Sequence, residues 1–135
     1  MTTRKPIAIL LSLVLTASPL TSFGAEQQPD FNFEELMEGV EFDLNEMQAS
    51  ISLEENASAI DYAHKLEQAF KKMEGFFAGW DYAEDAVLST QQYQERARRV
   101  VELIEGGDYN QAYEVSVEFS DHCKACHDNY KPLPL

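Results

Sequence analysis

The segment GGDYNQAYEVSVEFSDHCKACHDNYK, residues 106–131, decides the fold, because it combines a helix start, an apolar stripe and both cysteines of the chain. Asp108 follows two glycines and precedes Gln111 by three residues, the spacing of a capping box at a helix N-terminus. Two prolines close to the end of the chain stop any helix that begins there. We therefore predict a helix from Asp108 to about Tyr130.

The middle of this segment also carries a competing pattern. In YEVSVEF, residues 113–119, apolar and polar residues alternate as they do in a half-buried strand. A single strand among helices would have nothing to pair with, so we favour the helix. The helix places one stripe on a common face, which consists of Ala112, Val115, Phe119, Cys123 and Cys126.

Three further helices are predicted upstream from apolar residues at helical spacing. The first spans about Phe31 to Leu53 with Asp30 as its cap, the second follows apolar positions from Ile60 to Phe77, and the third runs from about Thr90 to Glu105. The aromatic stretch between the second and third helices, residues 75–90, is predicted to be an irregular loop with a short helical turn that folds its rings back onto the bundle. Four helices with mostly short connections predict an all-α, antiparallel up-and-down four-helix bundle.

The first 24 residues have the pattern of an export signal. Arg4 and Lys5 precede the apolar run IAILLSLVLTASPL, and small residues follow it. Cleavage after Gly24 fits the small-residue rule and leaves a domain of residues 25–135. The run is short for a membrane-spanning helix, so a cleaved signal is favoured over a retained anchor. We therefore expect a periplasmic protein that is not held in a membrane.

The chain is strongly acidic, with 24 Asp and Glu against 10 Lys and Arg. Loss of the signal would leave eight cations and a net charge of −16, which argues against a nucleic-acid partner. Eleven of the acids lie between Glu26 and His64, where there is no Lys or Arg. This stretch is either a solvated face or a docking surface for a partner with a basic surface.

The residues Cys123, Lys124, Ala125, Cys126 and His127 spell CxxCH, the attachment signature of a c-type haem. Residues three and four apart share a helix face, so both thiols can add to the two vinyl groups along one haem edge. The His127 imidazole then points at the iron. Covalent attachment also suits a small exported domain, because the bound haem cannot diffuse away and adds apolar contact to a modest core.

Two alternatives compete with haem. A bare CxxC can be a thioredoxin-like redox pair, but that reading requires a βαβ context and thiols at a helix start. A zinc site built from His122, Cys123, Cys126 and His127 would require four ligands to converge from about one and a half turns of one helix. Haem is favoured over both.

The position of the motif is informative, because the CxxCH lies in the last helix of the predicted bundle. This last helix, with GD before it and CKACHDNYK at its end, resembles that of the cytochrome c prime family, the class II c-type cytochromes of bacteria. The similarity extends to helix number and order over the whole exported chain. The resemblance implies one covalent haem c, thioethers to Cys123 and Cys126, and His127 as the proximal iron ligand.

The resemblance also implies a distal residue on the first helix, which is methionine in six-coordinate members and an apolar blocker in five-coordinate ones. Met37 matches this position and also lies on the apolar stripe of the first helix. Phe33 stands where the family often has an arginine. Lys131 stands where the family commonly has a basic residue, which implies a contact with a haem propionate. The other candidate distal ligands are Met47, Met73 and His64.

These assignments predict an electron carrier rather than an enzyme, with no catalytic residues. Iron bound by both His127 and Met37 would be saturated, a state suited to electron transfer with a redox partner protein. If Met37 only covers an open site, we expect a five-coordinate protein that binds small gases such as nitric oxide or carbon monoxide. The resemblance further implies a homodimer, although the acids of the first helix would repel a symmetric copy.

Overall fold

The structure, a computed structural model, describes residues 32–130 and contains four helices within that range. They are α1 (Phe33–Ser52), α2 (Asn56–Phe77), α3 (Glu84–Glu105) and α4 (Tyr109–Tyr130). No strand occurs in this range, and none of its helices combines the length and the apolar character that crossing a membrane requires. The side chains of six residues of α4 are not described, namely Asp121, His122, Lys124, Ala125, Cys126 and Asp128.

Several predictions concern residues outside this range. They are the export signal of residues 1–24 with its cleavage after Gly24 and the propionate contact of Lys131. The compact unit that contains the four helices begins at Asn32.

Each helix packs against two others, in the cyclic order α1, α2, α3, α4 and back to α1. Contacts along the α2–α3 interface show that these helices run in opposite directions, since Glu67 pairs with Arg98 at 2.8 Å while Glu74, further along α2, meets Gln91 earlier in α3. Connections of three residues reverse the chain in the same way between α1 and α2 and between α3 and α4. The predicted all-α, up-and-down four-helix bundle is therefore confirmed.

The N-terminal ends of α1 and α4 are fixed by side-chain caps. The prediction that Asp30 caps the first helix is wrong. Asn32 caps α1, because its Oδ1 accepts a hydrogen bond from the Glu35 backbone N–H at 3.1 Å. Asp108 caps α4 as predicted, accepting from the Gln111 N–H at 3.2 Å. The Gln111 side chain donates to Glu114 instead of returning to the cap, so only half of the predicted capping box forms.

The prediction of an irregular loop over residues 75–90 is wrong for most of its length. Helix α2 continues to Phe77 and α3 begins at Glu84, which leaves residues 78–83 as the connection. Gly75 does not interrupt α2, because it lies on the exposed face and a glycine there costs only about 1 kcal/mol relative to alanine. The prediction that the rings fold back onto the bundle holds only in part, since Trp80 lies 5.2 Å from Phe76 between ring centroids, whereas Tyr82 is 93% exposed.

The core is closed most tightly at the end of the bundle where α1 ends and α4 begins. Its largest side chains there are 2% exposed or less, namely Met47, Ile51, Leu66, Val100 and Ile104. The helical reading of residues 113–119 is confirmed, because Ser116 and Phe119 are buried while Tyr113 and Val117 are 42% and 40% exposed. A strand would have placed Tyr113, Val117 and Phe119 on the same side.

Candidate functional site

The opposite end of the bundle contains a pocket with about 450 Å³ of empty space, part of it open to solvent. The pocket lies where α1 begins, α2 ends, α3 begins and α4 ends. Its walls are almost entirely apolar, with side chains from all four helices. An apolar cleft with a few convergent polar groups is the usual form of a cofactor or ligand site.

One wall of the pocket belongs to α4 and includes Cys123 and His127 of the CxxCH motif. The two residues are four apart and therefore share a face of the helix. Cys123 is half-buried and His127 is exposed. Cys126 lies in the same helix, but its side chain is outside the described set.

The Cys123 thiol is held inside the pocket wall. Its Sγ donates a hydrogen bond to the Phe119 carbonyl oxygen at 2.9 Å. Burial raises the pKa of Cys123, and a hydrogen bond with Tyr93 offsets only part of that rise. A thioredoxin-like thiol needs the reverse, a pKa lowered by positive surroundings or a helix N-terminus. The environment of Cys123 thus favours a structural or cofactor-attachment role over a nucleophilic one.

Another wall belongs to α1, which packs against α4, and it contributes Met37 between Phe33 and Val40. The fold thus brings Met37, on the first helix, to the same pocket as His127, 90 residues later in the sequence. Phe33, which stands where the family resemblance would place an arginine, packs against Phe77 with ring centroids 5.9 Å apart. The Phe33 side chain therefore forms part of the apolar wall of the pocket and carries no charge that could pair with a haem propionate.

Of the other three candidate iron ligands, one lines the pocket and two lie away from it. Met73 lines the pocket from α2. Met47 is fully buried at the closed end of the bundle, and His64 is exposed on α2, where its Nδ1 lies 3.7 Å from Glu67. The structure therefore brings two methionines, Met37 and Met73, to the pocket and leaves Met47 and His64 away from it.

Sequence reasoning did not assign the polar groups that edge this pocket. Ser89 and Thr90 line it from α3, and Tyr130 lines it from the end of α4. Tyr130 could have been found, because it follows His127 by three residues and so shares its helix face. Ser89 and Thr90 could not, because their segment was predicted to be a loop.

The described side chains include no group of three His, Cys, Asp or Glu residues placed to hold a metal ion by themselves. Two members of the alternative zinc set, His122 and Cys126, are not among those side chains. The residues present suit a haem, whose flat apolar ring needs apolar walls and whose iron takes imidazole and thioether ligands. His127 and Met37 offer those two ligand types.

Comparison with known proteins finds no family model, no curated protein and no solved structure that matches this chain.

Proposed function

We propose that this chain is an exported class II c-type cytochrome that carries one covalent haem c and transfers electrons. Cys123 and Cys126 would form the thioethers, and His127 would be the proximal iron ligand. The observation that carries the proposal is the placement of Cys123 and His127, two members of a CxxCH motif, on the wall of one apolar pocket. The haem would supply a one-electron couple.

The chain's own residues would bind and enclose this group. The α1 wall and the α2 side chains Phe70 and Met73 would cover its faces and exclude water. A dry, apolar surrounding is one of the means by which a protein adjusts a haem potential. No residue of the pocket is assigned a part in bond making or breaking, so the proposal is a carrier and not an enzyme.

Met37 would be the second protein ligand of the iron, together with His127. It lines the same pocket from α1, and thioether ligation would raise the reduction potential. Saturated iron needs no ligand to bind or leave during electron transfer. The six-coordinate form is therefore the state that this arrangement favours.

The surface charge suits a basic redox partner protein. Four exposed acids lie on α1, the helix that carries Met37, namely Glu34, Glu35, Glu38 and Glu41. Opposite charge on a partner speeds diffusional encounter and orients the two proteins. We therefore place the contact with the partner beside the α1 wall of the pocket.

A second candidate uses the same pocket without Met37 as an iron ligand. If the Met37 thioether only covers the iron, the position it covers would be open to a small gas such as nitric oxide or carbon monoxide. The chain would then be a five-coordinate ligand-binding module. The two candidates differ in spin state, which a visible spectrum reports.

The test is expression with its export signal in a bacterial host that attaches haem to cytochromes. We expect a red periplasmic protein whose colour remains with the chain after acid–acetone extraction. A double variant, Cys123→Ala with Cys126→Ala, is the control and should lose that covalent colour. A colourless parent protein whose two cysteines are joined in a disulfide would refute the proposal.

A further inference from the structure

Tyr130 ends α4 and lies three residues after His127 on the same face of the helix. Both side chains line the pocket. Within the described part of the chain, His127 therefore belongs to the last turn of its helix. The last four carbonyls of a helix lack internal partners, and helix ends open more easily than helix centres. Something must hold this turn if His127 is to keep one position.

The side chain of Tyr130 connects this turn to two other helices. Its hydroxyl donates a hydrogen bond to the Asp85 carboxylate and lies 3.4 Å from the carbonyl oxygen of Tyr82. Its ring packs edge-on against Phe77, with centroids 5.2 Å apart. Phe77 is 1% exposed, so the ring rests on a fixed part of α2.

Asp85 is well placed to receive this bond. It lies in the first turn of α3, where the helix dipole favours a negative charge. A hydrogen bond to an ionised carboxylate is about twice as strong as a neutral one. Other polar contacts between α4 and its neighbours lie nearer the start of the helix: Cys123 hydrogen-bonds with Tyr93, Gln48 donates to the Ser116 carbonyl oxygen, and Arg96 pairs with Glu118.

We infer that Tyr130, through its bond to Asp85, is a positioning residue that fixes His127 against the pocket. The inference rests on the proposed function insofar as His127 is the iron ligand. The bond joins the start of α3 to the end of α4, so it fixes the last turn of α4 relative to the pocket. Tyr130 itself does not touch the iron in this assignment.

The first arm of the test uses the haem-free chain and compares hydrogen exchange of the backbone amides of residues 127–130. Tyr130→Phe keeps the ring on Phe77 and removes the hydroxyl, and Asp85→Ala removes the acceptor. Each should speed exchange in this turn about tenfold, the effect of losing one charge-assisted hydrogen bond. Asp85→Asn retains an acceptor oxygen and should restore most of the protection.

The second arm uses the haem-loaded protein and measures spin state and reduction potential. Tyr130→Phe and Asp85→Ala should increase the high-spin fraction and shift the potential, and the double variant should add nothing to either single change. Glu118→Gln is the matched control, since it removes an ion pair between the same two helices away from the pocket. It should leave the spectrum and the potential at their parent values.

Each combination of exchange rate and haem spectrum either supports or overturns the inference. Faster exchange together with a changed spectrum, both reversed in Asp85→Asn, supports the inference. Faster exchange with an unchanged spectrum and potential overturns it, because Tyr130 would then stabilise the helix end without positioning His127. Unchanged exchange also overturns it. A parent protein without haem refutes the proposed function, and the exchange arm then decides alone whether Tyr130 holds His127.

Discussion

The rings of Phe70 and Tyr93 stack nearly parallel across the α2–α3 interface, with centroids 4.4 Å apart and planes 13° apart. Phe119 of α4 adds a third ring, 6.0 Å from Phe70 and 5.6 Å from Tyr93. All three side chains are at least 96% buried. The cluster separates the pocket from the closed end of the bundle, so it serves the fold and forms the floor of the site.

Removal of one ring from this cluster should lower the free energy of unfolding by a large amount. Phe70→Ala is expected to lower the free energy of unfolding by about 3–5 kcal/mol, because a buried ring is lost and a cavity remains. Urea denaturation followed by circular dichroism measures the change. Phe42→Ala is the matched control, since Phe42 is 58% exposed and should cost less than about 1 kcal/mol. Equal losses in the two variants would contradict this account of the core.

Met37→Ala should convert the low-spin spectrum expected of the haem-loaded protein to a high-spin one, because the variant removes the proposed sixth iron ligand. Visible absorption of the haem-loaded protein reports the change. Met47→Ala is the control, since Met47 is fully buried away from the pocket. It should cost about 2–5 kcal/mol of stability and leave the spin state unchanged. If Met37→Ala stays low-spin and only its combination with Met73→Ala turns high-spin, the distal ligand is Met73.

Cys123→Ser should leave one thioether, through Cys126, and keep His127 in place. We expect a coloured protein whose reduced pyridine spectrum shifts toward the value for singly attached haem. Mass spectrometry should find the haem on the tryptic peptide that contains Cys126. Haem that is released completely by acid–acetone from this variant would show that Cys126 forms no thioether.

Glu74 provides a pH-dependent contribution to stability. Its carboxylate accepts hydrogen bonds from the Gln91 and Gln94 side chains at 2.6 and 2.7 Å, and these bonds lower the pKa of Glu74 below its ordinary 4.5. The contribution is present above pH 4.5 and is lost as the pH falls through the folded-state pKa. Glu74→Gln should therefore cost about 1 kcal/mol at pH 7, and this difference should disappear in acid. Denaturation curves at several pH values test this, with the exposed Glu105→Gln as the control.

The contribution of Asp43 to stability should depend on pH in the opposite direction to that of Glu74. Burial raises the pKa of Asp43 above its ordinary 3.8, Lys65 partly counteracts this, and Asp61 adds to it. The folded state thus favours the protonated acid, and this stability is lost as the pH rises through the folded-state pKa. Asp43→Asn removes the charge and should raise the free energy of unfolding at pH 7 by less than about 1 kcal/mol. The gain should vanish below pH 3.8, and a loss of stability at pH 7 would contradict the prediction.

The sequence was most informative where local chemistry and periodicity agreed. The Asp108 cap and the apolar stripe of α4 predicted that helix correctly, and the stripe of α1 placed Met37 on the inner face. The sequence pattern did not predict the start of α3. Aromatic residues and two glycines interrupt the apolar periodicity just before this helix, whose first turn carries Glu84 and Asp85. Acids in a first turn are the local signal that would have revealed it.

The pocket itself could be predicted only in part. The CxxCH spacing placed Cys123 and His127 on one face, since that depends on the local geometry of a helix. Met37 and His127 line the same pocket because α1 packs against α4. Only the family resemblance led us to expect that these two residues share a site. The bond from Tyr130 to Asp85 joins residues 45 apart, and no local pattern predicts it.

The uneven burial along the bundle axis has a consequence for evolution and engineering. Side chains at the end that contains Met47 and Ile51 are almost wholly enclosed, whereas several at the pocket end, among them Leu36 and Met37, remain half-buried. Substitution of a half-buried side chain at the pocket end should therefore cost less stability than substitution of an enclosed one. Those side chains are accordingly the positions at which the ligand preference of the pocket can be changed at the least cost to the fold.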